Sequence, residues 1–332
     1  VIYYAMAFFA IWWAWMNFTW FASAYDVDDV PYRVLTLVQM AGALTMAAGI
    51  ADAMAEHQFT VMVAGYVLMR LAMITQWLRA AACDPARRAA TLRYAGGIAV
   101  AQLCWVGWLW IPAKAQIPFF LAFAVVEVLV PVFAERKTLT PWHPHHIAER
   151  YGLFTIIVLG ESILATTMSV QTARSEGSGG TELYALAGTG LVIVFALWWI
   201  YFDQPAPDLL SSLAKAIKWG YGHLFIFAAV AAVGAGLQVA VAVQSGEAEL
   251  GSRAVGYAVA VPVALYLLGV GVLQLFPRNR TPLTVAVLAA VAVVLVAPLL
   301  GSLSIMVIAC GLVGLIVVIA VLNHRAAIDD SV

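Results

Sequence analysis

Charge is what this sequence has least of. Asp, Glu, Lys and Arg make up 11% of its 332 residues, and 64% are hydrophobic. A soluble domain is usually about 25% charged and about 45–50% apolar. A soluble enzyme, a nucleic-acid-binding protein and a disordered chain are therefore excluded, and the bilayer is the expected partner. Cysteine is scarce too: Cys83, Cys104 and Cys310 stand far apart with no CxxC spacing, so neither a disulfide framework nor a zinc site is indicated. No GxSxG, HExxH or glycine-rich phosphate loop occurs, so no known enzymatic site is present and no cofactor can be named. The chain opens on Val1 inside an apolar run without an initiator Met, and we expect a segment upstream of it.

Apolar runs dominate what is present. A helix needs about 20 apolar residues to cross about 30 Å of hydrocarbon. Charges, prolines and glycines divide the chain into runs at roughly 2–23, 32–54, 58–80, 92–111, 116–134 and 151–171, then roughly 183–203, 217–243, 252–275, 281–299 and 303–323. The expected fold is an all-α polytopic membrane protein of about eleven transmembrane helices. Hydrocarbon offers backbone groups no partner, and the period-2 alternation of a barrel is missing. The Ala/Val/Leu-rich C-terminal third holds no polar motif and reads as lipid-facing or scaffold helices.

The basic residues orient these spans. Arg33, Arg79, Arg87, Arg88, Arg93, Arg136, Lys137, Arg150, Lys215, Lys218, Arg278, Arg280 and Arg325 fall in odd-numbered connections or at the C-terminus. Only Lys114, Arg174 and Arg253 fall in even ones, and Arg70 lies inside a span. Basic loops stay in the cytoplasm, so the C-terminus is expected there, in a bacterial inner membrane. A parallel repeat is suggested by Trp12-Trp13 followed by Tyr25-Asp26, and Trp198-Trp199 followed by Phe202-Asp203, six spans apart. On that reading the first membrane half is residues 1–140, a six-helix repeat lacking its first helix. The second is residues 141–332, and a cytoplasmic loop at 135–149 joins them. A paired Trp also arises at an interface with no repeat behind it.

Three ionisable residues sit deep in these spans. Glu161 lies about eleven residues into its helix, or about 16 Å, beside Gly160, which allows close approach of a helix or ligand. Glu127 lies at similar depth, followed by Pro131, and Arg70 about twelve residues into its own span. A charge at the midplane costs at least about 2.5–3.5 kcal/mol unless it is paired, neutral or facing water. Arg70 is expected to neutralise one carboxylate, leaving the other to carry a proton, although a purely structural Arg–Glu lock fits equally well. His223 in WGYGH is either a helix-to-helix hydrogen bonder or a relay and ligand contact. Asp26 and Asp203 read as caps or interface anchors, and Asn17 and Gln39 as ordinary interhelical hydrogen-bonders. His143, His145 and His146 are weak metal candidates, because their spacing matches no zinc signature and Pro144 should break any helix aligning them.

Several segments are similar to one known family. ERYGLFTIIVLGES (Glu149 to Ser162) resembles the signature of the bacterial low temperature requirement A family. The paired-Trp segment ending at Asp29, VVEVLVPVF (Val125 to Phe133), LWWIYFD (Leu197 to Asp203) and WGYGHL (Trp219 to Leu224) resemble it in the same order. The likeness covers about residues 8–240, with only hydrophobic character shared beyond. Such proteins usually open on a helix with an ELFFDL-like motif, which this chain lacks. Glu149, Arg150, Gly152, Gly160 and Glu161 match residue by residue. The resemblance implies a multi-pass inner-membrane protein and no established substrate.

The leading expectation is a transporter or channel, proton-coupled through Glu161 and Glu127, with Arg70 setting their charge and His223 gating the cytoplasmic side. The rivals are a non-transporting scaffold or accessory subunit packed with other membrane subunits, and, more remotely, an intramembrane lipid-modifying enzyme with no nucleophile or metal signature behind it.

Overall fold

The computed structural model describes residues 2–175, 177, 180–203, 206–278 and 281–329, with side chains described as far as residue 325. Val1 and Arg280, both used above, lie outside the described residues. All regular structure among the described residues is helical. Two compact units divide the chain, Val1–Ile147 and Ala148–Val332.

The first unit holds α1 (Ile2–Tyr25), α2 (Val30–Ala48), the short α3 (Ile50–Ala55), α4 (Thr60–Cys83), α5 (Arg88–Trp108) and α6 (Ala113–Glu135). It also takes the first turn of α7 (Pro144–Ser175). Local chemistry starts and stops these helices. Asp29 caps α2 by accepting the Tyr32 N–H at 2.8 Å, with Pro31 in the first turn where its missing N–H costs nothing. Pro144 begins α7 and does not break it, which corrects the expectation from sequence: the helix runs back over His145 and His146.

The second unit continues with α7, then α8 (Thr181–Phe202), α9 (Leu213–Ser245), α10 (Ser252–Val270), α11 (Thr281–Val296) and α12 (Ser304–Asp329). One π-helical turn, Gly271–Leu275, extends α10, and a bend at Gly301 (φ 64°) separates α11 from α12.

Eight helical segments among the described residues are long and apolar enough to cross a bilayer. α1 is not one of them, because its length is spent on Trp, Tyr, Asn and Thr side chains; neither is α5, which carries Arg88, Arg93 and Gln102. α11 and α12 count as one apolar stretch, Thr281–Arg325. The paired tryptophans are not equivalent. Trp12 and Trp13 are fully buried in the middle of α1, whereas Trp198 and Trp199 sit in the last turns of α8, 44% and 48% exposed.

Helices within each unit touch backbone to backbone. A Cβ added at Gly65 of α4 would fall 2.6 Å from the Gly42 carbonyl oxygen and 2.5 Å from the Met46 nitrogen of α2. One added at Gly236 of α9 would meet the Ala258 carbonyl oxygen of α10 at 2.2 Å. Small residues at crossings serve membrane helices well, because close packing must do what hydrophobic burial does in water. Gln39 of α2 and Gln76 of α4 add a buried amide bond of 2.8 Å across the same crossing, while Asn17 bonds back to the Trp13 carbonyl of its own helix.

The basic loops of the first unit meet at one end. Arg79 at the end of α4 pairs with Asp29 at 2.5 Å, and Tyr25 donates to Asp84 at 3.2 Å. Arg87 donates to the Leu139 carbonyl at 3.2 Å, and Arg93 to the Ala134 carbonyl at 3.3 Å. Connections α1–α2, α4–α5 and α6–α7 are thereby tied together.

A Gly65→Leu substitution should splay α2 from α4 and lower stability by about 2 kcal/mol or more. Gly96→Ala, where an added Cβ meets nothing within 4 Å, should be neutral. Thermal unfolding of both variants in detergent checks this.

Candidate functional site

Glu127 is the centre of the first unit. Pro131 lacks the N–H that would donate to the Glu127 carbonyl, so the carboxylate sits one turn before a break in the α6 ladder. Each carboxylate oxygen receives two donors. Oε1 accepts the Tyr66 hydroxyl at 2.9 Å and the Trp105 indole N–H at 3.0 Å. Oε2 accepts the Trp13 indole N–H at 2.5 Å and the Arg70 guanidinium at 3.2 Å. α1, α4, α5 and α6 all contribute, and Glu127 and Arg70 are each 1% exposed.

Four donors from three neighbouring helices converge on Glu127 and hold its carboxyl group in one orientation. Tyr66 and Arg70 stand one helical turn apart on α4; the guanidinium bonds the Tyr66 hydroxyl and lies 4.5 Å from its ring centroid. A cavity of about 40 Å³, walled by Met6, Phe9, Phe59, Trp108 and Phe120, reaches Tyr66 and Trp105 and no further polar group. Space for about one water against apolar walls gives a substrate no foothold.

A second polar centre lies in the second unit around His223, which is fully buried. Its Nδ1 stands 2.7 Å from the Trp219 carbonyl oxygen. A carbonyl can only accept, so Nδ1 carries the proton, and Nε2 accepts from the Tyr201 hydroxyl at 2.9 Å. Thr155 and Gln274 stand within hydrogen-bonding reach of the same phenol, Gln274 being presented by the π-helical turn. Tyr151, Trp219 and Phe227 pack their rings within 5.3 Å of the imidazole. His223 thus joins four helices and opens to no cavity described here.

Glu161 is placed quite differently. It is exposed on α7, about midway along the helix, and carries no ion pair among the described residues. Its neighbours at helical spacing, Ile157, Leu164 and Met168, are exposed and apolar. The opposite face of α7 is docked on α9: Ser162 donates to the Val230 carbonyl at 3.3 Å, and Gly234 approaches the same side chain. Gly160 faces open space and lines a cavity of about 460 Å³ between α7 and α8, with Phe195, Trp198 and Trp199 on its far wall.

The remaining candidates are structural or surface groups. Gly152 is buried, and a Cβ there would fall 3.1 Å from the Phe202 ring, so it admits α8. Asp203 closes α8 and accepts from Asn323 at 2.8 Å. Asp26 and Glu149 are exposed and Arg150 half-buried. The His143 ring lies 5.7 Å from His145 and 4.8 Å from His146, yet no group of three metal-binding side chains exists among the described residues.

Sequence reasoning missed Trp13, Tyr66, Trp105, Tyr201 and Gln274. A signal existed for the first three. Buried Trp and Tyr need acceptors for their N–H and O–H groups, and an acid at matching depth in a neighbouring span supplies one.

Removing either partner of a buried ion pair strands the other, at about 3–5 kcal/mol. Arg70→Met and Glu127→Gln should each destabilise the protein by that amount, and the double variant by clearly less than the sum. Glu161→Gln should unfold like the wild type within about 0.5 kcal/mol. Denaturant or thermal unfolding in detergent checks all four.

The likeness seen in the sequence now has a spatial counterpart. ERYGLFTIIVLGES, LWWIYFD and WGYGHL meet in the second unit through Tyr151, Gly152, Tyr201, Phe202, Trp219 and His223. The paired-Trp segment and VVEVLVPVF meet in the first through Trp13 and Glu127. An uncharacterized protein of Rhizobium meliloti (strain 1021) is 30% identical over 234 residues, covering 65% of this chain and 56% of that protein, so the chain spans about half the length of this relative. No solved structure matches. The model of the bacterial low temperature requirement A protein family matches residues 1–322, and the chain belongs to that family.

Proposed function

We propose that this is a proton-coupled membrane transporter in which Glu161 exchanges the proton and Arg70–Glu127 is a fixed lock. The reading rests on one observation: a carboxylate midway along α7 with no ion pair among the described residues, set among exposed apolar side chains. A carboxylate facing hydrocarbon is expensive when charged and far cheaper when protonated. Glu161 must therefore pick up a proton before that face meets an apolar environment and release it on meeting water. Proton movement becomes an obligatory part of any change that alters what α7 faces. The cavity between α7 and α8, walled by Gly160 and three aromatic rings, is within the size range of small-molecule sites.

The same proposal takes Glu127 out of the relay, where four donors fix it in place, and takes His223 out of the gate. It assigns eleven crossings, counting α1, α5 and both α11 and α12. A stretch of 45 residues is about twice the thickness of the hydrocarbon and bends at Gly301. With basic loops retained inside, the C-terminus is cytoplasmic in a bacterial inner membrane. A non-transporting scaffold is the rival, since exposed apolar faces such as that of α7 also suit partner helices.

Proton flux into proteoliposomes, driven by a potassium diffusion potential and read by an entrapped pH dye, tests the proposal. Wild-type protein should carry flux, and Glu161→Gln should lower it by about tenfold or more. Equal flux in the two proteins would overturn the role of Glu161. No flux above empty liposomes would favour the scaffold.

A further inference from the structure

The arginine-rich end of the first unit holds more positive charge than its own carboxylates balance. Three cations there are committed to acids: Arg33 to Asp28, Arg79 to Asp29 and Arg87 to Asp84. The Arg33 guanidinium beside Asp28 and the Tyr32 N–H on Asp29 hold those carboxyls below the ordinary range, so they stay ionised and the pairs persist. Arg88, Arg93, Arg136 and Lys137 have no carboxylate partner among the described residues. Glu135, adjacent to Arg136 in the chain, offers them nothing. Its carboxylate is buried and accepts from Tyr94 at 3.0 Å, the Thr140 N–H at 2.8 Å and the Thr140 hydroxyl at 2.6 Å.

Hydrogen bonds tie the start of α5 to the end of α6 and the turn after it, where Arg136 and Lys137 stand. Arg93 reaches the Ala134 carbonyl at the end of α6, two residues from Arg136, and Arg87 reaches Leu139, which brings Arg88 beside the same turn. Helix dipoles do not balance them. The C-terminus of α6 carries about half a negative charge and the N-terminus of α5 about half a positive one, so the two cancel. Arg88, in the first turn of α5, even opposes its own helix.

Below the patch the surface suits a hydrocarbon chain. The Arg136 guanidinium lies 4.3 Å over the ring of Phe133, which is itself exposed with Leu129 and Val132 on α6. On α5, the exposed Gly96 is open where a side chain would stand, between exposed Leu92, Val100 and Leu103. Cations at the level of an apolar belt, above a notch in a helix, present both halves of an amphiphile's complement.

We infer that the α5–α6 end of the first unit binds an anionic phospholipid, its phosphate held by Arg88, Arg93, Arg136 and Lys137 and an acyl chain lying over Gly96. Juxtamembrane cations attract anionic lipid additively and are screened by salt. The apolar notch distinguishes a lipid from free phosphate, which would use only the cations.

Purified full-length protein, titrated with phosphatidylglycerol or phosphatidylcholine in mixed micelles and followed by native mass spectrometry, tests the inference. Phosphatidylglycerol should bind in preference to phosphatidylcholine. The Arg136→Gln/Lys137→Gln variant, altered only at exposed positions, should lose about tenfold or more of that affinity. Arg33→Gln, whose cation is already paired, should bind as the wild type does. Equal binding of the two lipids, or undiminished phosphatidylglycerol binding by the double variant, would overturn the site. Complete displacement by millimolar inorganic phosphate would overturn the lipid as its occupant.

Discussion

One buried ion pair organises the first unit. A carboxylate with almost no exposure is costly in a membrane interior unless its oxygens accept hydrogen bonds. Supplying them draws Trp13, Tyr66 and Trp105 inward from three helices. The pair thereby fixes which faces of α1, α4, α5 and α6 are turned toward each other. The glycine crossing of α2 on α4 then adds a backbone contact that tolerates no larger side chain. Buried ion pairs often add little net stability, yet they specify arrangement by penalising the alternatives that leave a charge alone.

The second unit solves a similar problem with neutral groups. His223 and Tyr201 form a buried hydrogen-bonded pair with no formal charge, flanked by Thr155 and Gln274 and ringed by Tyr151, Trp219 and Phe227. The π-helical turn after α10 delivers Gln274 to it, and such turns are commonly found at functional positions. Glu161 stands outside this cluster. Among the described residues Glu127 is ion-paired inside the first unit, whereas Glu161 has no ion-pair partner and is on the exposed side of α7.

The helical, membrane-spanning character of the fold was legible because the bilayer imposes length and apolarity on every span. The depth of Glu127 and Arg70 was legible for the same reason, since 1.5 Å per residue converts position into height. Which residues touch was not. Depth says nothing of azimuth, so Arg70 pairing with Glu127 at 3.2 Å, and not with Glu161, had to come from the fold. The indole and phenol donors were hidden because Trp and Tyr read as interface anchors before they read as hydrogen-bond donors. Trp13 is a case of this: it read as half of a paired-Trp marker, and its indole N–H donates to Glu127. Pro144 misled because a proline at the first position of a helix looks, in sequence, like one that ends it.

Two deep carboxyl groups are proposed to divide the labour, Glu127 fixed by its four donors and Glu161 exchanging the proton. Infrared difference spectroscopy across a pH titration of the reconstituted protein tests this most directly. A carboxylic acid carbonyl band that gains and loses intensity with pH is expected, absent from the Glu161→Gln variant. A titrating band that persists in that variant, and shifts instead when Arg70 is replaced, would place the mobile proton on Glu127 and overturn the assignment.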